Sequence, residues 1–139
     1  MKRIVILSAL ILAAVAVSAQ QEEKPFKGYF TNEELNVYMR INLHDNMDIP
    51  DHELYGPLPG YLAKEHNGFY WVIVDAKIKG KKKATIQLIN DYGSEDLTAT
   101  IHLPNDSTLV LEQGEGSPIK VPKDGKWFKL PSKITFKRK

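Results

Sequence analysis

The chain has 139 residues, with 19 basic and 17 acidic side chains, 42% hydrophobic residues and no cysteine. This near-neutral balance excludes the strong positive field that steers proteins to nucleic acid. The lack of cysteine excludes a disulfide framework, on which small domains secreted by eukaryotic cells usually depend, and therefore favours a bacterial origin.

The first residues form the three-part pattern of a secretory signal peptide. Lys2 and Arg3 precede an apolar run over residues 4–17 that closes in a small-x-small stop. The run is shorter than the about 20 apolar residues of a spanning helix. We therefore predict a cleaved signal peptide over 1–19 and a single exported domain over 20–139, with an uncleaved N-terminal anchor as the alternative. The expected location is the periplasm, the cell surface or the outside of a bacterium, with no membrane span in the mature chain.

Charge is unevenly distributed along the mature chain. Loss of Lys2 and Arg3 lowers the basic count from 19 to 17, which equals the acidic count. Residues 20–76 hold 4 basic and 10 acidic side chains, whereas residues 77–139 hold 13 and 7. Because barrels and sandwiches interleave their segments, we expect the two halves to pair their charges within one fold.

The first predicted strand of the mature chain is marked by alternation. From Leu35 to Leu43, apolar residues occupy every second position, which predicts a half-buried strand. Thr31 and Glu34 have the spacing of a helix capping box, so a helix is the alternative. Further on, Asn67-Gly68 signals a hairpin before the β-branched and aromatic run 69–78.

Short strands separated by turns continue to the end of the chain. They are predicted over residues 84–89, 97–103, 108–112, 119–121 and 133–137. No segment of the mature chain predicts a convincing helix. Seven or eight short strands at this spacing predict an all-β domain, a single antiparallel meander that forms a barrel or a two-sheet sandwich.

Residues near the two ends of the mature chain resemble a known arrangement. Gly28, Tyr29 and Phe30, together with Arg138, are similar to the calycin pattern of lipocalins and avidin-like barrels. In those families an arginine from the last strand covers a Gly-x-Trp on the first strand, and Phe30 stands here in the tryptophan position. The resemblance implies a barrel and carries over no ligand. Small exported bacterial β-domains of unassigned function are also similar in length and strand rhythm.

An apolar and aromatic loop over residues 54–62 is the main candidate for binding. We predict that it lies across one mouth of the fold, with Tyr55, Leu58, Tyr61 and Trp71 as ligand-binding residues, because tyrosine rings stack on sugars and apolar rings. The alternative is that the loop covers one end of the core. In that case Tyr61→Ala would lower the stability of the protein rather than its affinity for a ligand. The run around Trp71 is apolar on both faces, which is typical either of a strand buried on both sides or of a contact with a ligand or partner.

Imidazoles and carboxylates are concentrated over residues 44–53. His44, Asp45, Asp48 and His52 are weak candidates for metal ligands, since their spacing matches neither a His-Glu-x-x-His helix nor a calcium loop. A solvated acidic connection is the alternative. We predict no cofactor.

Two further segments suggest surface interactions. One hairpin is rich in lysine, namely Lys77, Lys79, Lys81, Lys82 and Lys83. It would attract anionic polysaccharide, lipid headgroups or an acidic partner. The alternative is that these lysines keep the protein soluble and prevent other chains from adding strands to the sheet. Residues 105–108 contain formal acceptor patterns for glycosylation at Asn105 and Ser107.

The motifs of covalent catalysis are missing from the sequence. It has no cysteine, no Gly-x-Ser-x-Gly elbow and no glycine-rich phosphate loop. We therefore predict a non-enzymatic exported binding module for a small ligand, a glycan or an envelope protein. The alternatives are a periplasmic inhibitor or accessory subunit of an envelope complex, which would act through the apolar loop, and a metal-assisted enzyme.

Overall fold

The computed structural model describes residues 25–139, so the predicted signal peptide and its cleavage site lie outside the described residues. One short 3-10 turn covers Glu53–Tyr55. The strands are β1 Lys27–Asn32, β2 Val37–Asn42, β3 Gly60–Lys64, β4 Tyr70–Ile78, β5 Lys83–Asn90, β6 Asp96–Asn105, β7 Thr108–Gly116, β8 Lys120–Lys123, β9 Lys126–Lys129 and β10 Lys133–Arg138. Within residues 25–139, no helix has the length and apolar character needed to cross a bilayer.

Eight strands close into an antiparallel barrel in the order β1-β10-β7-β6-β5-β4-β3-β2. Strands β1 to β7 each lie beside their neighbours in the chain, and β10 closes the barrel by pairing with both β1 and β7. The remaining two strands, β8 and β9, form a separate hairpin. The predicted all-β meander is confirmed, and it forms a barrel rather than a sandwich. Closure leaves none of the eight barrel strands as an open edge.

Because neighbouring strands run in opposite directions, the connections collect at two ends of the barrel. We call one the hairpin end; its connections are residues 33–36, 65–69, 91–95 and 117–132, the last of which contains β8 and β9. We call the other the lysine end. Residues 79–82 and 106–107 connect strands there, β1 begins there and β10 ends there.

Apolar side chains fill the inside of the barrel. In β5 every second residue is buried, namely Ala84, Ile86 and Leu88, as period-two alternation requires. Trp71 and Phe136 are fully buried in the same cluster. Full burial of each large side chain stabilises the fold by about 1.5–3 kcal/mol. The barrel interior is therefore a packed core.

A second apolar cluster lies outside the barrel, on the outer face of β2, β3 and β4. Residues 43–59, which we call the strap, leave the lysine end and run over this face. Ile49 of the strap is 1% exposed and packs in a cluster with Tyr61 and Val72. Met47 pairs with Leu58 across the strap and stabilises its shape. The start of β4 is consequently buried on both faces, which was one of the two interpretations of that run.

Two details of the sequence prediction were wrong. The third strand was missed because residues 60–63 are all buried, so β3 shows no alternation. The strand predicted from Leu35 begins only at Val37, because the Asn32 side chain accepts a hydrogen bond from the Leu35 N–H at 2.8 Å and forms a turn. A strand, not a helix, follows that turn.

Candidate functional site

A pocket of about 240 Å³ opens at the hairpin end. Its lining comes from the start of β4, the end of β5, the turn that follows β5 and the β8–β9 hairpin. The lining residues are Phe69, Trp71, Asn90, Tyr92, Ser94, Glu95, Lys120 and Trp127. The volume lies below the about 300–1,000 Å³ typical of sites for drug-sized ligands. The pocket therefore suits a single ring-sized group.

Aromatic rings form one side of the pocket. Phe69 meets Tyr92 edge to face at 5.1 Å and meets Trp127 in the same way at 4.8 Å between ring centroids. Tyr92 is 73% exposed and Trp127 is 51% exposed. Trp71 lies deeper, and its indole N–H donates to the Lys120 carbonyl at 3.0 Å. The rings hold one another in place while leaving aromatic faces open to solvent.

The hairpin that carries Trp127 is built by local turn chemistry. Asp124 and Gly125 have φ values of 53° and 77°, the left-handed conformation that a tight type I′ hairpin turn requires at both central positions. The Ile119 N–H donates to the Gln113 side chain at 2.8 Å, and the Leu130 N–H donates to the Ile119 carbonyl at 2.8 Å. The base of the hairpin is thus fixed to the barrel, and all four residues of β9 are exposed.

Polar groups form the other side of the pocket. The side-chain oxygen of Asn90, a 5% exposed residue, accepts the backbone N–H groups of Ser94 at 2.9 Å and Glu95 at 3.2 Å. Its amide nitrogen donates to the Ser94 hydroxyl at 3.2 Å. Glu95 in turn receives the Lys120 ammonium at 3.4 Å. Asn90 is therefore a positioning residue that holds the turn carrying Ser94 and Glu95.

The four residues predicted to bind a ligand do not lie together. Trp71 lines the pocket, but Tyr55 and Leu58 lie on the strap. Tyr61 lies within β3 rather than in a loop, is 2% exposed and stacks on Tyr70 at 4.6 Å. The strap lies on the outer face of the barrel and not across a mouth, because its apolar side chains pack on β2 to β4.

A ladder of aromatic rings follows the outer face beneath the strap. Tyr55 stacks on His52 at 5.4 Å, and His52 stacks on Tyr70 at 4.9 Å. Tyr61 continues the ladder to Tyr38, which it meets edge to face at 5.7 Å. Burial, aided by hydrogen bonding to Tyr61, raises the pKa of Tyr38 above its usual range. These rings are structural contacts of the strap.

His52 fastens the strap to the hairpin end. Its Nδ1 lies 2.8 Å from the Pro50 carbonyl oxygen and its Nε2 lies 2.6 Å from the Asp91 carboxylate. Since both partners are acceptors, both contacts are hydrogen bonds at once only when the ring is protonated. Burial opposes this charge, but the Pro50 carbonyl and Asp91, with Asp51 nearby, outweigh it and raise the pKa of His52.

The metal candidates are separated along the strap. His44 contacts the Pro25 carbonyl at the lysine end, whereas His52 binds Asp91 at the hairpin end. The Asp45 N–H donates to the Asn42 side chain at 3.0 Å, and Asp48 is exposed. Among residues 25–139, no three His, Cys, Asp or Glu side chains form a group suited to a metal ion.

Most of the pocket was missed by reasoning from the sequence. Two signals pointed to it. Asp124-Gly125 is a strong hairpin signal between Pro122 and Trp127. Tyr92 is a large aromatic residue in an otherwise polar connection, where an exposed ring has no packing role.

Comparisons with protein-family models, with curated proteins and with solved structures give no match. The class defined by the geometry is a closed up-and-down β-barrel with a packed interior and a small pocket at one end. The function is argued from that pocket.

Proposed function

We propose that this protein is a non-enzymatic binding module that takes a small ring-shaped ligand, such as one saccharide unit, into the pocket at the hairpin end. The observation that carries the proposal is the exposed pair Tyr92 and Trp127 beside the Glu95–Lys120 ion pair. A sugar has apolar C–H faces and a hydroxyl-bearing edge. The rings would stack on the face, while the carboxylate and the ammonium would hydrogen-bond to the edge.

We further propose that the protein is exported and that its barrel is of the calycin type. The sequence pattern of residues 1–19 supports export. The guanidinium of Arg138 lies 4.6 Å from the centre of the Phe30 ring, and its Nη1 donates to the Lys27 carbonyl at 2.8 Å. A Cβ at Gly28 would collide with that guanidinium. This arrangement supports the role that the calycin resemblance implies for the glycine and the arginine.

Intrinsic fluorescence offers a direct test, since Trp71 and Trp127 are the two tryptophans of the chain and both line the pocket. The probes are glucose, N-acetylglucosamine and glucuronic acid. We expect a saturable change in emission with at least one of them. Trp127→Ala should weaken that binding about tenfold, the upper end of one aromatic contact.

Tyr55→Ala is the matched control, because Tyr55 is 49% exposed but lies on the strap. Its affinity for the same probe should equal that of the wild type, measured by the emission of the two unchanged tryptophans. Absence of saturation with all three probes, or unchanged affinity in Trp127→Ala, would overturn the proposal.

The second candidate function is an inhibitor or accessory subunit that contacts another protein through the strap. Leu54 is fully exposed, with a relative accessibility of 103%, and lies next to the exposed Tyr55. Tyr55 is of a residue type enriched among the side chains that dominate interface binding energy, and Leu54 extends the exposed apolar surface beside it. Native mass spectrometry of protein purified from producing cells should then show a second polypeptide, which Leu54→Asp removes. A bare single chain in the wild type would contradict this candidate.

A further inference from the structure

The connection between β4 and β5 concentrates positive charge at the lysine end. Every residue from 77 to 83 is exposed, and five of these seven are lysines. None of the five forms an ion pair with another residue of the range 25–139. The turn is fixed by its own backbone, since the Lys79 N–H donates to the Lys83 carbonyl at 2.7 Å and Gly80 has a φ of 92°. The lysines are therefore held on a rigid tip and left free.

The rest of the lysine end adds to this charge. Lys27 opens β1, and Lys137, Arg138 and Lys139 close β10. The hairpin end carries charges of both signs, namely Glu33, Glu34, Glu65, Asp91, Glu95 and Asp96 together with Lys120, Lys123, Lys126 and Lys129. The lysine end is thus the more basic of the two ends, with Asp106 as an acidic residue in its 106–107 connection.

Protection of a sheet edge does not explain the lysine-rich hairpin. Edge lysines block the addition of foreign strands, but β4 pairs with β3 and β5 pairs with β6. Residues 75–78 of β4 extend past the start of β3 and pair only with β5, but Lys79, Lys81 and Lys82 lie in the turn and on no strand edge. Solubility alone does not explain the apolar residue between the lysines either, because Ile78, the last residue of β4, is 41% exposed.

We propose that the lysine end docks on an anionic lipid surface, with the Lys77–Lys83 hairpin in contact with the headgroups and Ile78 at the boundary with the acyl chains. Each lysine near such a surface strengthens partitioning about fivefold. A lipid fits better than a linear polyanion for two reasons. The charges come from separate strands and cover one end of the barrel rather than a groove, and a polyanion has no apolar layer for Ile78.

This inference goes beyond the proposed ligand site and does not depend on it. The pocket opens at the hairpin end, and the lysines lie at the opposite end of the barrel. A docked molecule would hold its pocket away from the membrane, toward the surrounding solution.

Sedimentation with lipid vesicles tests the proposal on the full chain. Vesicles with about one-third phosphatidylglycerol in phosphatidylcholine should bind the protein at low salt, and vesicles of phosphatidylcholine alone should not. Added salt should release the protein, because surface charges are screened within about 10 Å at 0.1 M. The triple variant Lys79→Glu, Lys81→Glu, Lys82→Glu should lose at least about 100-fold in partition coefficient, since each lysine contributes about fivefold.

The β8–β9 hairpin supplies a matched control, because Lys123, Lys126 and Lys129 are also exposed but lie at the other end. Their triple change to glutamate should leave vesicle binding within about threefold of the wild type, since they stand farther from the docked surface than a Debye length. Comparing chains with the same N-terminus cancels any contribution of residues 1–24. Equal binding by the wild type and the Lys79/81/82 variant, equal binding to neutral vesicles, or binding to dextran sulfate without vesicle binding would each overturn the proposal.

Discussion

Two groups of aromatic residues on the outside of this barrel differ in how much of their surface is exposed to solvent. Under the strap, Tyr61 and Tyr70 are 2% and 7% exposed. At the hairpin end, Tyr92 and Trp127 are 73% and 51% exposed and meet edge to face at 6.3 Å, whereas Tyr61 stacks on Tyr70 at 4.6 Å. Tyr61 of the first group was predicted to bind a ligand from the sequence, whereas the second group lines the pocket. The composition and stiffness of a loop therefore do not show whether its aromatic residues bind a ligand or only cover the core. The difference is whether another segment of the chain buries the aromatic rings.

Among the substitutions that test this contrast, Tyr61→Ala should change the free energy of unfolding most. Removing a buried ring should lower the free energy of unfolding by about 3 kcal/mol, because transfer and cavity costs add. Urea denaturation followed by circular dichroism measures the change. A loss below about 1 kcal/mol would mean that the strap does not hold Tyr61 as the structure shows.

Asn90→Ala tests the turn beside the exposed aromatic group at the hairpin end. The substitution leaves the N–H groups of Ser94 and Glu95 without their acceptor, so we expect a loss of about 1–2 kcal/mol. Asn105→Ala is a matched control, because its side chain bonds Ser107 in an exposed turn. A control loss as large as that of Asn90→Ala would show that burial is not what makes Asn90 important.

The His52–Asp91 contact links the two regions and predicts a pH dependence. The folded-state pKa of His52 is raised above its ordinary 6.5, so its stabilisation is complete below pH 6.5 and is lost as pH rises through the folded pKa. At pH 6, Asp91→Asn should lower stability by about 1 kcal/mol, with a smaller difference at pH 9. Urea midpoints measured from pH 5 to 9 give this profile.

Asp96→Asn serves as the control for that series, since Asp96 is exposed at the same end and forms no ion pair with a residue of the described range. Its difference from the wild type should stay flat from pH 5 to 9. A flat difference for Asp91→Asn as well would show that His52 does not carry the charge.

The smallest expected effect on stability is that of Tyr92→Ala. Because this ring is 73% exposed, its removal should change the free energy of unfolding by less than about 0.5 kcal/mol. Trp127 should nevertheless report the change through its emission, since the two ring centroids are 6.3 Å apart. A loss comparable to that of Tyr61→Ala would abolish the distinction between the two groups.

The sequence predicted the strands of the barrel well wherever one face of a strand is exposed to solvent. Alternation identified β2, β-favouring residues identified β5, and turn residues separated the later strands. It failed at β3, where the strap buries the outward side chains of Tyr61 and Ala63 and removes the alternation. That burial depends on a contact between segments that no local pattern encodes.

The pocket was less predictable than the fold. Trp71 was identified because its run is strongly apolar, but its neighbours at the site come from four connections and strands. Glu95 meets Lys120 across 25 positions of sequence, and Phe69 meets Trp127 across 58 positions. Only closure of the barrel brings these residues together.

The closing of the barrel by β10 against β1 has a practical consequence for any assay. The pair Phe30 and Arg138 is in register, and the Lys139 N–H donates to the Tyr29 carbonyl at 2.8 Å. A tag or sensor-chip linkage placed after Lys139 therefore orients every immobilised molecule with the pocket facing the flow and the lysine end toward the support. That orientation suits ligand measurements and hides the surface proposed for lipid, so the two activities need opposite attachment points.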